Sequence, residues 1–371
     1  MAMTDASLPQ VRVTGDNHTR LWGLTPRERI SRIAEKAGLA IAGDAAEGPQ
    51  LLISSFYAFD PQWIGFMLAR PESVLTVDGI PAMALTADPV AQRAMAEGMV
   101  PGLAVIRAED HATFYNQALR KREKPFLERL TPAAVPGIER QSYYGAYKGV
   151  TDLLTKYLWP EIALVLTRIA AQLGISPNMV TTLGAALCVW ATFLFWHGHY
   201  WIGMAVGFIF MVLDTVDGKL ARCTITSSYW GNIFDHGIDL VHPLFWWWAW
   251  AEGLGAWGQA LSPDGFVFVM GAMIAGYVVQ RVIEGIFIRQ FKMHIHVWER
   301  FDSRFRLITA RRNPNMVILF VATLFREPHL GLIAVGWWTI LSCLIHGVRL
   351  VQAEIAHARG RAITSWLDEP A

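Results

Sequence analysis

Beyond Pro160 the chain becomes a succession of apolar runs near membrane length: Met179–Trp196, Tyr200–Leu213, Ile233–Trp250, Phe266–Ile288, Met316–Phe325 and Leu330–Val351. Crossing about 30 Å of hydrocarbon takes about 20 helical residues. The second run reaches that length if its helix continues through Asp214–Arg222, and the fifth only by recruiting Ala310–Pro314 or Arg326–Pro328. The expected architecture is therefore an α-helical integral membrane bundle of six transmembrane helices. Composition agrees: 53% of the 371 residues are hydrophobic and 17% are charged, against about 25% charged in soluble proteins. Disorder needs the opposite balance. A disulfide framework is excluded by the few cysteines, Cys188, Cys223 and Cys343, which lie in or beside apolar runs. A net charge of +1 gives no reason to expect nucleic acid.

The first 150 residues have a different texture. Met1–Ser7 has neither a basic nor an apolar region of the signal-peptide kind. Leu51-Leu52-Ile53 and Val74–Val77 read as buried strands, and Arg27–Ala37 carries Ile30, Ile33, Ala34 and Ala37 at helical spacing. A small soluble α/β domain is expected over residues 1–130. A linker with juxtamembrane helices follows over 131–175, then the bundle over 176–358 and a cytoplasmic tail over 359–371. Lys121–Lys124, at the end of the α/β domain, and Lys148–Lys156, in the linker, read as amphipathic helix approaching the membrane surface, with Glu161–Leu173 an interfacial helix after Pro160.

Basic residues orient the bundle. Lys219 and Arg222 follow the second run, Arg289 to Arg312 hold seven between the fourth and fifth, and Arg359 and Arg361 follow the sixth, while the opposite connections contain only Arg326. Positive residues favour the cytoplasmic side. The expectation is a multi-pass protein of the cytoplasmic membrane with both termini inside. The cluster Phe245–Trp250 then falls at the far interface, read as a lipid-facing anchor rather than a cation cage.

The most informative stretch surrounds the second and third runs. Asp214 and Asp217 are three residues apart and share a helix face; Asp235 and Asp239 are four apart on the next helix. A short connection makes these helices antiparallel neighbours, so four carboxylates meet at membrane depth. Unpaired, they would be costly. Divalent cations of the Mg²⁺ class relieve that cost with hard oxygen ligands. Gly218, Ala221 and Gly231 permit close approach of a ligand to the backbone, and Arg222 offers a planar fork for phosphate oxygens. These parts describe a site for a metal-bound diphosphate. The competing reading has the aspartates capping helices or pairing with Lys219 and Arg222. An EF-hand loop is excluded by the spacing.

This pattern, Asp-x-x-Asp-Gly-x-x-Ala-Arg, eight residues, then Gly-x-x-x-Asp-x-x-x-Asp, resembles the signature of the CDP-alcohol phosphotransferases (phosphatidyltransferases), with every position present. Ser176–Thr181 is similar to the Pro-Asn-x-x-Thr start of that family's first membrane helix, and the likeness covers roughly Tyr157 to Arg359. The resemblance implies transfer of a substituted phosphate from a CDP-linked donor to an alcohol, with release of CMP, in phospholipid biosynthesis. It implies two Mg²⁺ or Mn²⁺ ions held by Asp214, Asp217 and Asp235, with Asp239 as general base and further ligand. It places Asp214, Asp217, Gly218, Ala221, Arg222 and Gly231 at the CDP site, joined by Asn178 and Thr181. It also implies a homodimer. His236, inside the motif at no required position, is expected to orient a neighbour.

A membrane-embedded site favours a lipid donor such as CDP-diacylglycerol; a soluble donor such as CDP-inositol is the alternative. The acceptor is a small polar alcohol. Arg304, Arg311 and Arg312, in the arginine-rich stretch Arg300–Arg312, either bind a phosphate on it or anchor helix ends at anionic lipid. Arg281 and Glu284 either pair with each other or line that pocket. A non-catalytic scaffold or transporter is the reading of another class, disfavoured by the intact Asp239 and by the lack of internal repeats. At the amino terminus, Gly15-Asp16-Asn17-His18-Thr19-Arg20-Leu21 partly resembles the phosphate loop of nucleotidyltransferases, with Asp16–His18 standing where a glycine cradle is needed. A degenerate nucleotidyltransferase-like fold without nucleotidyl transfer is expected there.

Overall fold

The structure is a computed structural model, and it describes residues 8–43, 47–99, 102–110, 113–117 and 119–368. Its elements in chain order begin with β1 (Gln10–Thr14), α1 (Pro26–Lys36), β2 (Gln50–Ser54), β3 (Tyr57–Phe59), α2 (Gln62–Leu68), β4 (Ser73–Val77) and β5 (Ile80–Thr86). They continue with α3 (Pro89–Ala96), β6 (Ala104–Arg107), β7 (Phe114–Asn116), β8 (Lys121–Glu123) and β9 (Leu127–Arg129). Five strands form one mixed sheet in the order β1-β2-β5-β4-β6. β2 is buried along its length, pairing parallel with β1 (Val11 opposite Leu51) and antiparallel with β5 (Leu51 opposite Leu85). A strand covered on both faces must be apolar throughout, which is why Leu51–Ile53 stood out in the sequence. Helix α1 starts at a capping box, Thr25 with Glu28, and lays Ile30, Ile33 and Ala34 on the sheet.

The two stretches read as amphipathic helix differ from that reading. Lys121–Glu123 is strand β8, antiparallel to β7, and not amphipathic helix. Residues 148–152 are irregular as well, because Gly149 packs directly on this strand: a Cβ there would lie 2.6 Å from the carbonyl oxygen of Arg120. Helices α4 (Val135–Gly145), α5 (Leu153–Tyr157) and α6 (Pro160–Gln172) follow. α6 buries Ala163, Leu164, Thr167 and Ala170 and exposes Ile162, Val165 and Ile169 on its other side. Apolar residues on the outer face suit a helix lying in the interface.

The bundle comprises α7 (Pro177–Trp196), α8 (Tyr200–Cys223), α9 (Tyr229–Gly253), α10 (Pro263–Phe291), the short α11 (Arg300–Phe305), α12 (Arg312–Leu324) and α13 (Pro328–Ala358). Helix α8 continues unbroken through Asp214–Arg222, so the second apolar run gains its missing length. Among the described residues, α7, α8, α10 and α13 are long and apolar enough to cross a membrane. The protein is a multi-pass membrane protein with an amino-terminal α/β region. Helix α9 falls short in mean hydropathy since its inner face carries Asp235 and Asp239, and α12 has 13 residues, about 20 Å of helix. Helices approach closely where side chains are small: a Cβ on Gly276 of α10 would lie 2.5 Å from Thr339 of α13. The tryptophan cluster divides by helical period. Phe245 and Trp248 face outward, whereas Trp246, Trp247 and Trp250 are buried, with Trp250 stacked on Tyr200 at 4.0 Å. The anchor expected from the sequence is excluded for the buried three and left open for the outward pair, since a run of six consecutive residues covers every side of a helix. Cys188, Cys223 and Cys343 are free thiols.

Candidate active site

Helices α7, α8 and α9 pack on one another, and their polar residues meet at one level. Ser176 caps α7 by accepting from the Met179 amide, which sets Asn178 and Thr181 on its first turn. At the start of α9, Ser228 accepts from the Gly231 amide at 3.0 Å. Gly231 lets the two helix starts converge, since a Cβ there would come 3.0 Å from the Asn178 Oδ1. The turn between α8 and α9, residues 224–228, brings Asp214 and Asp217 opposite Asp235 and Asp239.

The four carboxylates are not equivalent. Asp214, Asp235 and Asp239 each offer an oxygen, all within 4.8 Å of one another. Asp217 stands apart from this trio: its Oδ2 accepts from Thr181 Oγ1 at 2.6 Å, and its Oδ1 from the Gly218 amide at 2.5 Å. Three carboxylates from two helices form an all-oxygen donor set, which suits a hard divalent cation and no soft one. The side chain of Asp214 is 16% exposed, that of Asp235 28% and that of Asp239 43%, so Asp239 is the carboxylate most open to an incoming molecule. His236 Nδ1 lies 3.5 Å from Asp235 Oδ2.

Arginines divide sharply by place. Arg312, at the start of α12, spans Asp214 and Asp239: Nη2 is 2.6 Å from Asp214 Oδ2 and Nη1 is 2.7 Å from Asp239 Oδ1. Its Nε donates to Asn313 Oδ1 at 2.9 Å. Arg281 and Arg311 are instead engaged by Glu284, which also bonds His296 at 3.2 Å. Arg304 is exposed on α11. Of the four arginines considered for the acceptor, Arg312 alone lines the cavity beside the aspartates. Arg222 lines it too, with Nε buried and without a hydrogen-bond partner among the described residues. Lys219 turns away, donating to the Ala146 carbonyl at 3.0 Å over the Tyr147 ring, so it does not neutralise the aspartates.

The cavity measures about 1010 Å³ and takes in Asn178, Thr181, Gly218, Ala221, Arg222, Gly231 and all four aspartates. It also takes in residues that sequence reasoning missed: Arg32, Lys148, His294 and Arg306. Lys148 and Arg306 lay in basic stretches, a signal that did not single them out, and Arg32 carried none. Burial pushes the Lys148 ammonium down to about 8, with Arg120 and Arg222 acting the same way. Burial likewise lowers His294 to about 4, aided by Arg120, so it is neutral at physiological pH. Asp152, which accepts from Asn313 Nδ2 at 2.9 Å, is held below the usual carboxylate range. Burial opposes that shift, but Arg306 and the Thr155 amide outweigh it. At the amino terminus Asn17 donates from Nδ2 to the Ser55 and Leu130 carbonyls, while Asp16 and His18 are exposed.

Aspartates of α8 and α9 thus share one cavity with Arg222, Arg306, Arg312 and Lys148, and three of them could hold a divalent cation. Residues 174–348 match the family model of CDP-alcohol phosphatidyltransferase. The family consists of enzymes that transfer phosphatidyl groups and typically need metal ions. The chain is similar to cholinephosphotransferase 1 of Gallus gallus, with 33% identity over 31% of this chain and 36% of that protein. It is similar to a phosphatidylinositol phosphate synthase of Streptomyces avermitilis, with 37% identity over 24% of this chain and 38% of that one. A solved phosphatidylinositol phosphate synthase from Mycobacterium tuberculosis, with CDP-DAG bound, shares 16% identity at a TM-score of 0.41, over 51% of this chain and 94% of that one. The chain spans about a third of the length of the curated relatives it matches.

Proposed function

We propose that this protein transfers a substituted phosphate, a phosphatidyl group, from CDP-diacylglycerol to the hydroxyl of a small polar alcohol, releasing CMP. The observation that carries this reading is the meeting of Asp214, Asp235 and Asp239 within 4.8 Å, in a cavity also lined by Arg222, Arg312 and Lys148. A diphosphate needs cationic surroundings, and an alcohol nucleophile needs a base; the cavity supplies both kinds of group.

In this reading Asp214, Asp235 and Asp239 hold Mg²⁺ or Mn²⁺, and Asp217, oriented by Thr181 and Gly218, completes the acidic set. Two such cations, when bound, neutralise the diphosphate and the charge on the attacking and leaving oxygens. Arg222 places its fork along the phosphates, with Gly218 leaving it room; a Cβ at 218 would meet Arg222 Nη2 at 3.1 Å. Asn178, Thr181, Ala221 and Gly231 wall the nucleotide. Asp239, the most accessible carboxylate, takes the proton of the acceptor hydroxyl as its oxygen attacks the phosphorus bonded to diacylglycerol. The bond from that phosphorus to the bridging oxygen breaks, and CMP departs with the bonding pair. No covalent enzyme intermediate is needed. Arg312, shared between Asp214 and Asp239, keeps the two carboxylates at a common spacing.

The same reading has α9 and α12 completing six spans, with the cavity on the cytoplasmic side. Helix α9 supports this, since its outward face carries Ile233, Phe234, Leu240, Val241 and Phe245 despite its two aspartates. A homodimer follows from the family likeness. A soluble CDP-alcohol donor is the second reading, favoured by the likeness to cholinephosphotransferases.

The test is CMP release by the purified full chain in nanodiscs, given CDP-diacylglycerol, Mg²⁺ or Mn²⁺, and a panel of alcohols with and without phosphate. Metal-dependent CMP with one acceptor supports the reading and names that acceptor. CMP from soluble CDP-alcohols alone moves the donor to the second reading. No CMP from any donor removes both.

A further inference from the structure

The amino-terminal domain lies outside the matched family region, yet it is built into the rim of the acidic site. Three contacts seat it there. Arg29, 5% exposed on α1, donates from Nη1 to the Cys223 carbonyl at 2.9 Å. One turn further, Arg32 donates from Nη1 to the Thr224 carbonyl at 2.8 Å. These carbonyls end α8, the helix that carries Asp214, Asp217 and Arg222; such terminal carbonyls lack helical partners and bear partial negative charge. Just past them, Ile225 adopts a positive φ of 57° and is buried in the α/β domain's own apolar core, with Ile30 and Leu51. A second seat lies at Trp22, whose Nε1 donates to Ser142 Oγ at 2.9 Å, and at Gly23, where a Cβ would come 2.9 Å from the Ala171 carbonyl. The domain thus grips both the end of α8 and the end of α6.

Arg32 differs from Arg29 in one respect: it lines the cavity, together with Trp22, Gly23 and Leu24. Among the described residues it makes a single hydrogen bond, the one to Thr224, and its guanidinium is planar with five N–H donors. The same cavity is lined by Asn178, Ala221, Arg222 and the capped start of α9 at Ser228–Gly231. A helix start favours anions for the same reason that a helix end favours Arg29 and Arg32.

We propose that the amino-terminal α/β domain is part of the donor site, with Arg32 as a binding residue for the diphosphate of the nucleotide and Arg29 as a positioning residue that anchors the end of α8. The proposal rests on the donor reading above, in that the nucleoside diphosphate is taken to be CDP. It gives the docking of this domain on the bundle a use, the wall that Arg32 presents to the cavity.

The test is titration of the full chain in nanodiscs with CDP and with cytidine, in Mg²⁺, for the wild type, Arg32→Ala, Arg32→Gln and Arg32→Lys. Arg27→Ala, on the exposed side of the same helix, serves as control. The expected result is loss of CDP affinity by about tenfold or more in Arg32→Ala and Arg32→Gln, the size of a lost charge-assisted hydrogen bond. Arg32→Lys recovers part of it, Arg27→Ala matches the wild type, and cytidine binding changes little. Under turnover the loss falls in KM for the donor. Equal CDP affinity in the wild type and all three Arg32 variants overturns the proposal. Equal loss for CDP and cytidine also overturns it, since that marks a collapsed wall and not recognition of phosphate; Arg32→Gln, which keeps a donor without charge, guards against misfolding of the alanine variant. If the wild type itself binds no CDP, the donor reading fails first, an outcome distinct from loss in the variants alone.

Discussion

Arg312 reaches from the start of α12 to Asp239 on α9, its Nη1 2.7 Å from Oδ1, while the other arm of the same guanidinium rests on Asp214 of α8. Three helices are therefore tied at the site by one side chain, and the proposed base shares its cation with a proposed metal ligand. A planar fork can span two carboxylates in this way; a lysine ammonium holds a point and not a line. Arg312→Lys should keep most of the thermal stability and lose tenfold or more in kcat for CMP release (about 1.4 kcal/mol). Arg312→Ala should also destabilise the protein, by about 1–3 kcal/mol. That is less than for a fully buried pair, because Asp239 is 43% exposed. Thermal unfolding in detergent, measured beside turnover, separates the two effects.

Asp239→Asn preserves shape and removes the base. Turnover should fall by about 10²–10⁴-fold, the usual contribution of a positioned proton acceptor, with unfolding temperature little changed. CMP release within a factor of about two of the wild type would end the general-base assignment.

Thr181 bonds Asp217 at 2.6 Å and so orients a carboxylate of the acidic set. Thr181→Val keeps the volume and removes the donor. Groups that orient metal ligands contribute about 10–100-fold to metal affinity, so the Mg²⁺ concentration for half-maximal activity should rise by that order. Thr181→Ser should restore it. A variant with unchanged metal dependence would detach Asp217 from the metal site.

Lys148 faces the cavity among Arg120, Arg222, Asp235 and Asp239, and burial holds it near 8 rather than the ordinary 10.5. Its charge is present below about pH 8 and lost above, so affinity for an anionic donor should weaken as pH rises through that value. Stability runs the other way. Between 8 and 10.5 the unfolded chain binds more protons, so the penalty of burying this ammonium is full below pH 8 and fades towards 10.5. A KM–pH profile of Lys148→Met should lack the alkaline limb, and Lys148→Arg should carry it to higher pH. A limb that persists in Lys148→Met assigns it elsewhere.

The proposed six spans would put residues near Gly198, Gln259 and Arg326 on the far side and those near Lys292 and Gly360 on the cytoplasmic side. Single cysteines introduced at Gln259 and Lys292 should react with membrane-impermeant reagent from opposite sides. Labelling of Gln259 from the cytoplasmic side would show that α9 does not cross.

The apolar runs, the strand at Leu51–Ile53 and the helix over 27–37 were legible in the sequence because each is periodic or continuous over adjacent residues, where local burial writes its pattern. The acidic motif was legible for the same reason: its spacings of three and four are helix turns. What the sequence could not order was the rest of the polar cast. Arg304, Arg311 and Arg312 are near neighbours in one basic stretch, yet one is exposed, one is held by Glu284, and one joins Asp214 and Asp239 across 98 and 73 positions of chain. Nor could it join Arg32 to Thr224 across 192 positions. The helical period assigns a residue to a face, and composition assigns a helix to the membrane. Which faces meet is decided by how helices and domain pack, since an ion pair depends on distances in space that no local pattern records. The residue types, the spacing of the aspartates and the membrane-scale runs came from the sequence alone; the fork of Arg312 and the wall formed by the α/β domain came only from the tertiary structure.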